Sequence, residues 1–400
     1  KGLFFLLSRD VNYRLPWGIL TGIRPVKIVE DLHLKGLTEN NIKSILTKDY
    51  LISNEKADLM IKVSNRQRPI LESLRKNSYS LYISIPFCPT RCIYCSFPTL
   101  TMNKYKNLMD DYLSKVKKEV LAITNMMKNW EINTVYIGGG TPTSISIEQM
   151  EELILLVKDN FKNIKEFTIE AGRPDTIDYD YLKLFKDYDI QRISINPQSM
   201  NDKTLKIIGR QHSSKDITHT YIMAKEIGIP IVNMDLILGL PDEGIHELRY
   251  TLDKIGELDP DNLTIHTLAI KKGSKFIQEK DNYSIRDSKE LELMLEECSK
   301  FTKSMNLHPY YLYRQKQILG NFENVGYCKD DNPCLYNISI MEEKETIIAV
   351  GMGGVSKFYN RNLDKLTRLS NFRDIHEYLS RVDELILEKE KNIKSIEKTF

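Results

Sequence analysis

The sequence predicts an α/β protein built on parallel strands. Three observations carry this. Between residues 79 and 268, short apolar runs alternate six times with helix-length amphipathic stretches. Before residue 77 the apolar spacing is only helical, and after about residue 276 the alternation stops. Strands linked by helices in this way form βαβ units, and a partial (β/α) barrel and an open doubly wound sheet both satisfy the pattern.

Residues 1–76 form an N-terminal helical region. Pro16-Trp17-Gly18, Gly22 and Pro25 punctuate its start, and 41–75 holds a single Pro with helical spacing of Ile42, Ile45 and Leu46. It carries no chemical motif. Residues 77–275 hold the alternation, with strands expected at 81–86, 134–137, 167–170, 192–195, 231–238 and 263–268. The helices between them fall at 106–129, 147–160, 179–186, 217–227 and 243–258. Residues 276–400 read as an α+β extension. It has a helix at 287–305, strands at 310–315, 335–340 and 346–350, and a charged helix at 371–391.

Composition narrows the class. With 400 residues, 41% hydrophobic and 28% charged, the chain can bury a sizeable core. A net charge of +2 gives no electrostatic reason to expect a nucleic-acid or membrane-surface partner, and no apolar run reaches the length of a membrane span. The opening Lys1-Gly2-Leu3 lacks an initiator Met, which suggests a piece of a longer chain; no secretory signal peptide is visible in it. Of six cysteines, 88, 92 and 95 are clustered while 298, 328 and 334 are scattered. That is not a disulfide framework, and it points to reduced thiols in the cytoplasm.

The chemistry begins at Cys88-Pro-Thr-Arg-Cys92-Ile-Tyr-Cys95. Six cysteines in 400 residues would fall into this spacing by chance only about 0.001 times. Structural zinc takes four ligands, commonly as paired CxxC knuckles, and no second pair is present. A 4Fe–4S cluster also takes four, so three thiolates leave one iron open, able to chelate the amino and carboxylate groups of S-adenosylmethionine (SAM). The cysteines follow a strand, and in (β/α) barrels the loops after the strands build the active site. Other strand ends carry matching features: Gly138-Gly139-Gly140-Thr141-Pro142-Thr143, Glu170, and Asn196-Pro197-Gln198. Asp235 is a lone charge within an apolar strand. Their recurrence at one end of successive strands makes that end the candidate site.

These residues resemble the radical SAM superfamily. The stretches 81–95 (LYISIPFCPTRCIYC), 136–143 (YIGGGTPT), 167–171, 192–202, 207–212, 234–241, 320–327 and 351–358 are similar to the oxygen-independent coproporphyrinogen III oxidase family. NPQS at 196–199 and YYLYRQK at 310–316 look like its HemZ-type branch. The resemblance covers about residues 79–358 and implies a partial (β/α)6 radical SAM barrel. It implies that Cys88, Cys92 and Cys95 ligate the cluster. Tyr82, Gly139 and Glu170 would bind the SAM on it, while Tyr94, Gly140, Thr141, Gln198, Arg210 and Asp235 would line a second SAM or substrate-side site. The implied activity is oxygen-independent oxidative decarboxylation of coproporphyrinogen III to protoporphyrinogen IX, with electrons from a low-potential donor such as flavodoxin or ferredoxin. Arg314 and Lys316 are candidates to meet the carboxylates of that tetrapyrrole.

One departure bears on function. Oxidases of this family look like CxxxCxxCxC, and here the last cysteine position is Phe97. The related haem chaperones lack that cysteine too, and their tail pattern resembles Cys334-Leu-Tyr-Asn337. A haem chaperone holding cluster, SAM and haem is therefore the alternative.

Overall fold

The structure, a computed structural model, describes residues 1–10, 13–271, 273–279, 283–330 and 332–398. Six strands form the centre: β1 (Ser78–Ile85), β2 (Glu131–Gly139), β3 (Glu166–Gly172), β4 (Arg192–Ile195), β5 (Ile231–Leu238) and β6 (Asn262–Thr267). Each pairs in parallel with the next. Helices lie between them, Ser146 with Gln149 and Ser213 with Asp216 forming the capping boxes that start two of these at Ile147 and Ser214. β1 and β6 are not joined to each other, so this is an open, partial barrel.

Residues after 276 extend both edges of the same sheet. β7 (His308–Tyr313) and β8 (Asn324–Cys328) add antiparallel beyond β6. On the far side β9 (Thr346–Val350) runs parallel to β1, followed by the hairpin β10 (Val355–Asn360) and β11 (Lys365–Ser370). The order is β11-β10-β9-β1-β2-β3-β4-β5-β6-β8-β7. β8 and the last hairpin escape the sequence pattern because their pairing partners lie far along the chain.

Side chains alternate across a strand. Leu81, Ile83, Val135, Ile137, Phe167, Ile169, Ile193, Met234, Leu236, Leu263 and Ile265 are all buried in the main core. The other face carries Ser80, Tyr82 and Ser84 on β1, Thr134 and Tyr136 on β2, Glu166 and Thr168 on β3, Arg192 and Ser194 on β4, Asn233 and Asp235 on β5, and Thr264 and His266 on β6. The inside of the partial barrel is thus polar and aromatic.

The segment at 335–340, expected as a strand, is the helix Leu335–Glu342. Its alternating apolar residues read as a strand, but a buried carboxylate decides otherwise. Glu166, at the start of β3, accepts hydrogen bonds from the backbone N–H of Leu335 (3.0 Å) and Tyr336 (3.1 Å) and from Cys334 Sγ (3.3 Å). These are the orphan donors of a helix N-terminus, where an anion is favoured. Arg192 balances the charge at 3.3 Å from Glu166. The helix lies against β2 and β7 and closes the barrel at the N-terminal end of its strands.

The N-terminal helices Val26–Leu34, Glu39–Lys48 and Asn54–Glu72 share a small core with Trp17. It meets the sheet through Leu312 and Val325. Arg314 is committed here: its guanidinium donates to the carbonyls of Leu20 (2.8 Å) and Asn321 (3.0 Å) and stacks over Trp17. It anchors the N-terminal region and is not free to meet a ligand carboxylate. At the opposite edge, the helix Ile375–Glu397 packs on the helix Met109–Met126 through a buried ion pair, Lys389 with Glu119. Tyr378 OH (2.7 Å), Gly351 N–H (2.9 Å) and Asn371 Nδ2 (3.2 Å) also donate to Glu119.

Candidate active site

The cysteine loop leaves the C-terminal end of β1 and is held from three sides. Thr90 Oγ1 donates to Gly209 O (3.0 Å), Ile93 N–H to Ile208 O (3.1 Å), and Arg91 to Gly273 O (2.7 Å). Arg173 donates to Thr90 Oγ1 (2.8 Å) and is paired with Asp175, which also meets His212 at 3.1 Å. Arg173, Asp175 and His212 escaped the sequence reading because their role is to brace the loop.

Gly140 sits hard against this loop. A Cβ there would lie 2.8 Å from Cys88 Sγ and 2.7 Å from Phe87 O. Only glycine allows that approach, and the neighbouring Gly139 adopts a φ of +117°, which L side chains rarely adopt. Thr141 Oγ1 then donates to Cys88 Sγ at 3.5 Å. Arg210 faces Cys92, and its guanidinium donates to Tyr94 OH (3.3 Å) and Asn196 O (2.5 Å).

Tyr82 and Tyr136 are register partners on β1 and β2, and their rings stack with that of Tyr336. The Tyr136–Tyr336 centroids are 4.5 Å apart. Glu170 lies just above, at a slip in the β3–β4 register between Ile169 and Gly172, an irregularity that re-aims a side chain. Burial and the charge of Asp235 push its carboxyl up to about 7. Burial acts on Asp235 too, but His266, Asn233 and Thr264 outweigh it and hold that carboxyl below its usual range. Asn233 donates to Asp235 at 2.9 Å, and His266 Nε2 lies 3.8 Å from it. Gln198, with φ of +66°, donates its N–H to Asp235 O (2.8 Å) and accepts from Ile237 N–H (3.0 Å). Tyr82, Tyr136, Glu170 and Asp235 lie deep in the protein yet keep accessible surface, so they face a cavity.

The cysteine loop, the glycine run, Tyr94, Gln198 and Arg210 thus lie together around one end of the barrel strands, with Tyr82, Glu170 and Asp235 facing into the barrel beneath it; Arg314 does not join them. Tyr136, Tyr336 and His266 were missed as site residues. Tyr136 was detectable two positions before Gly138 on one strand face, whereas Tyr336 arrives on the helix read as a strand.

The residues fit a cluster with one open iron. Burial pushes the Cys88 thiol up to about 12, so its thiolate needs a cationic partner, which iron supplies. The neighbouring thiols Cys92 and Cys95 act on Cys88 electrostatically. Among the described residues no group of Cys, His, Asp or Glu closes around a single metal ion. A cluster that takes one thiolate per iron spreads its donors more widely than one ion does.

Comparison with known proteins agrees with this class. Residues 82–255 match the family model described as the Radical SAM superfamily. The oxygen-independent coproporphyrinogen-III oxidase-like protein HemZ of Bacillus subtilis is 42% identical over 98% of this chain and 80% of its own length. The heme chaperone HemW of the same organism is 32% identical over 49% of this chain and 52% of its own. The solved structure of coproporphyrinogen III oxidase (HemN) from Escherichia coli superposes with a TM-score of 0.63 at 21% identity, over 80% of this chain and 72% of that one. The fold and the three-cysteine loop are those of a radical SAM protein, which uses a 4Fe–4S cluster and SAM. The chain belongs, within that superfamily, to the family of the oxygen-independent coproporphyrinogen III oxidases and their HemZ-type and HemW relatives. Among the described residues no helix is long and apolar enough to cross a membrane.

Proposed function

We propose that the protein is a radical SAM enzyme of porphyrin biosynthesis that oxidatively decarboxylates coproporphyrinogen III to protoporphyrinogen IX without oxygen. The observation that carries this is the likeness to the oxidase-like relative over 98% of the chain, the N-terminal region included. When bound, the cluster and SAM supply one-electron reduction and a radical able to take hydrogen from a propionate side chain. A low-potential protein such as flavodoxin or ferredoxin supplies the electron.

The chain's own residues bind, orient and exclude water. Cys88, Cys92 and Cys95 hold the cluster. Gly139 and Gly140 let the backbone approach SAM, and Glu170 accepts hydrogen bonds from its ribose hydroxyls. The stacked Tyr82, Tyr136 and Tyr336 floor the cavity with apolar rings and keep water from below. Tyr94, Thr141, Gln198, Arg210 and Asp235 line the substrate side. Above pH 7, where the raised Glu170 carboxyl is ionised, it is a charged acceptor, and hydrogen bonds to it are worth roughly 1.5–3 kcal/mol. Glu170→Ala should therefore weaken SAM binding ten- to a hundredfold, by isothermal titration of the reconstituted protein, with cluster content unchanged. Unchanged SAM affinity would remove Glu170 from the site.

The deciding assay is anaerobic, with reconstituted protein and a strong reductant. Coproporphyrinogen III should accelerate 5′-deoxyadenosine formation, and a vinyl product should accumulate with it. A second reading rests on Phe97, 63% exposed at the position where the oxidases resemble CxC. On that reading the protein carries haem. Stoichiometric haem binding, with neither stimulated SAM cleavage nor loss of carbon dioxide, would establish the chaperone instead.

A further inference from the structure

A cleft of about 540 Å³ opens between the N-terminal region and the barrel, a size suited to an organic ligand. Its lining carries five cationic side chains, Arg24, Lys271, Arg314, Lys316 and Lys357, and no acidic one. Two of the five are already committed. Arg314 binds backbone carbonyls, and Lys357 donates to Ile340 O (2.8 Å) and pairs with Glu343 (3.0 Å). Arg24 also pairs with Glu343, but that carboxylate is shared with Lys357 and Arg368. Three cations share that one carboxylate, and the buried Glu342 also lies within electrostatic reach of Arg24. Lys271 and Lys316 have no ion-pair partner among the described residues.

The rest of the lining is Ile23, Ile340, Met341 and the ring of Tyr313, with two neutral amides, Gln315 and Gln317. Tyr313 also joins the cleft to the candidate active site. Its hydroxyl is 3.4 Å from His266 Nδ1, and His266 Nε2 is 3.8 Å from Asp235. Lys271 is near enough to the cysteine loop to feel the charge of Cys95. One wall, Ile23 and Arg24, comes from the N-terminal region, which is fastened there by Arg314 N–H to Ile23 O at 2.8 Å.

We propose that this cleft is a carboxylate-binding site for an apolar polycarboxylate, with Arg24, Lys271 and Lys316 as its contacting cations and the N-terminal region as the wall that completes it. On the reading above, on which this identity rests, the ligand is the tetrapyrrole. Its propionates sit in the cleft while the reacting edge faces Asp235 and the cysteine loop.

The test uses coproporphyrin III, a fluorescent tetracarboxylate, titrated into the anaerobically reconstituted protein. Arg24→Ala and Lys271→Ala should each weaken binding roughly tenfold, being partly buried charge-assisted contacts. Lys316→Ala, at an exposed position, should cost about threefold. The Lys271→Ala/Lys316→Ala variant should lose about thirtyfold, and added salt should weaken the wild type more than this variant. Coproporphyrin tetramethyl ester, which has no carboxylates, should bind wild type and variant alike. Neither lysine has a structural partner, so melting temperatures should not move. Coproporphyrin binding that is equal in the wild type and the double variant overturns the cleft and leaves the tetrapyrrole reading standing. A wild type that binds no tetrapyrrole overturns both.

Discussion

Replacing Cys88, Cys92 or Cys95 with Ala should leave the protein without a 4Fe–4S cluster after anaerobic reconstitution. Iron, sulfide and the visible cluster absorbance should fall together to background, and all SAM cleavage with them. The reason is stoichiometric: three thiolates hold three irons, and losing one leaves two irons for SAM and solvent to cover. The same change at Cys298, Cys328 or Cys334 should leave iron content at the wild-type level. Cys298 lies on the helix Ser288–Ser304 and Cys328 on β8, both buried. Cys334 donates to Glu166 at the opposite end of the barrel strands. If any of these three proves as necessary as Cys88, the three-ligand cluster is wrong.

Glu119→Ala should destabilise the fold by about 3–5 kcal/mol, because it leaves the Lys389 ammonium buried without its counter-charge. Both side chains are 0% exposed, so water cannot take over. Lys389→Met should cost less, since Glu119 keeps Tyr378, Gly351 and Asn371 as donors. Glu119→Leu combined with Lys389→Met should recover much of the loss, as apolar replacements of whole buried pairs often do. Denaturant midpoints at constant slope measure all three. A Glu119→Ala protein within 1 kcal/mol of wild type would mean that water reaches the pair. Gly351 follows β9, the neighbour of β1, so this network also ties the C-terminal helix to the strand that presents the cysteine loop.

The cluster ligands and the six central strands were legible because each is a local pattern. Three cysteines within eight residues need no partner elsewhere, and a buried parallel strand is a short apolar run wherever it sits. Strands at 192–195, 231–238 and 346–350 have their expected bounds for that reason. Glycines, Glu170 and Asp235 could be gathered into one site because parallel strands place their C-terminal ends together.

The rest depends on contacts between residues far apart in the chain. Leu335–Glu342 has the alternation of a strand and is a helix because Glu166, some 170 positions earlier, accepts its first N–H groups. Arg314 looks like a ligand-binding cation beside Lys316, yet its guanidinium is consumed by carbonyls of residues 20 and 321. The extension after 276 divides between two sheet edges, since β8 finds β6 and β9 finds β1. Arg24 reaches the cleft only because Trp17, Arg314 and Glu323 clamp the N-terminal region to the sheet. Burial and long-range hydrogen bonding made these choices, because buried polar groups must find partners and most of the partners were distant in sequence.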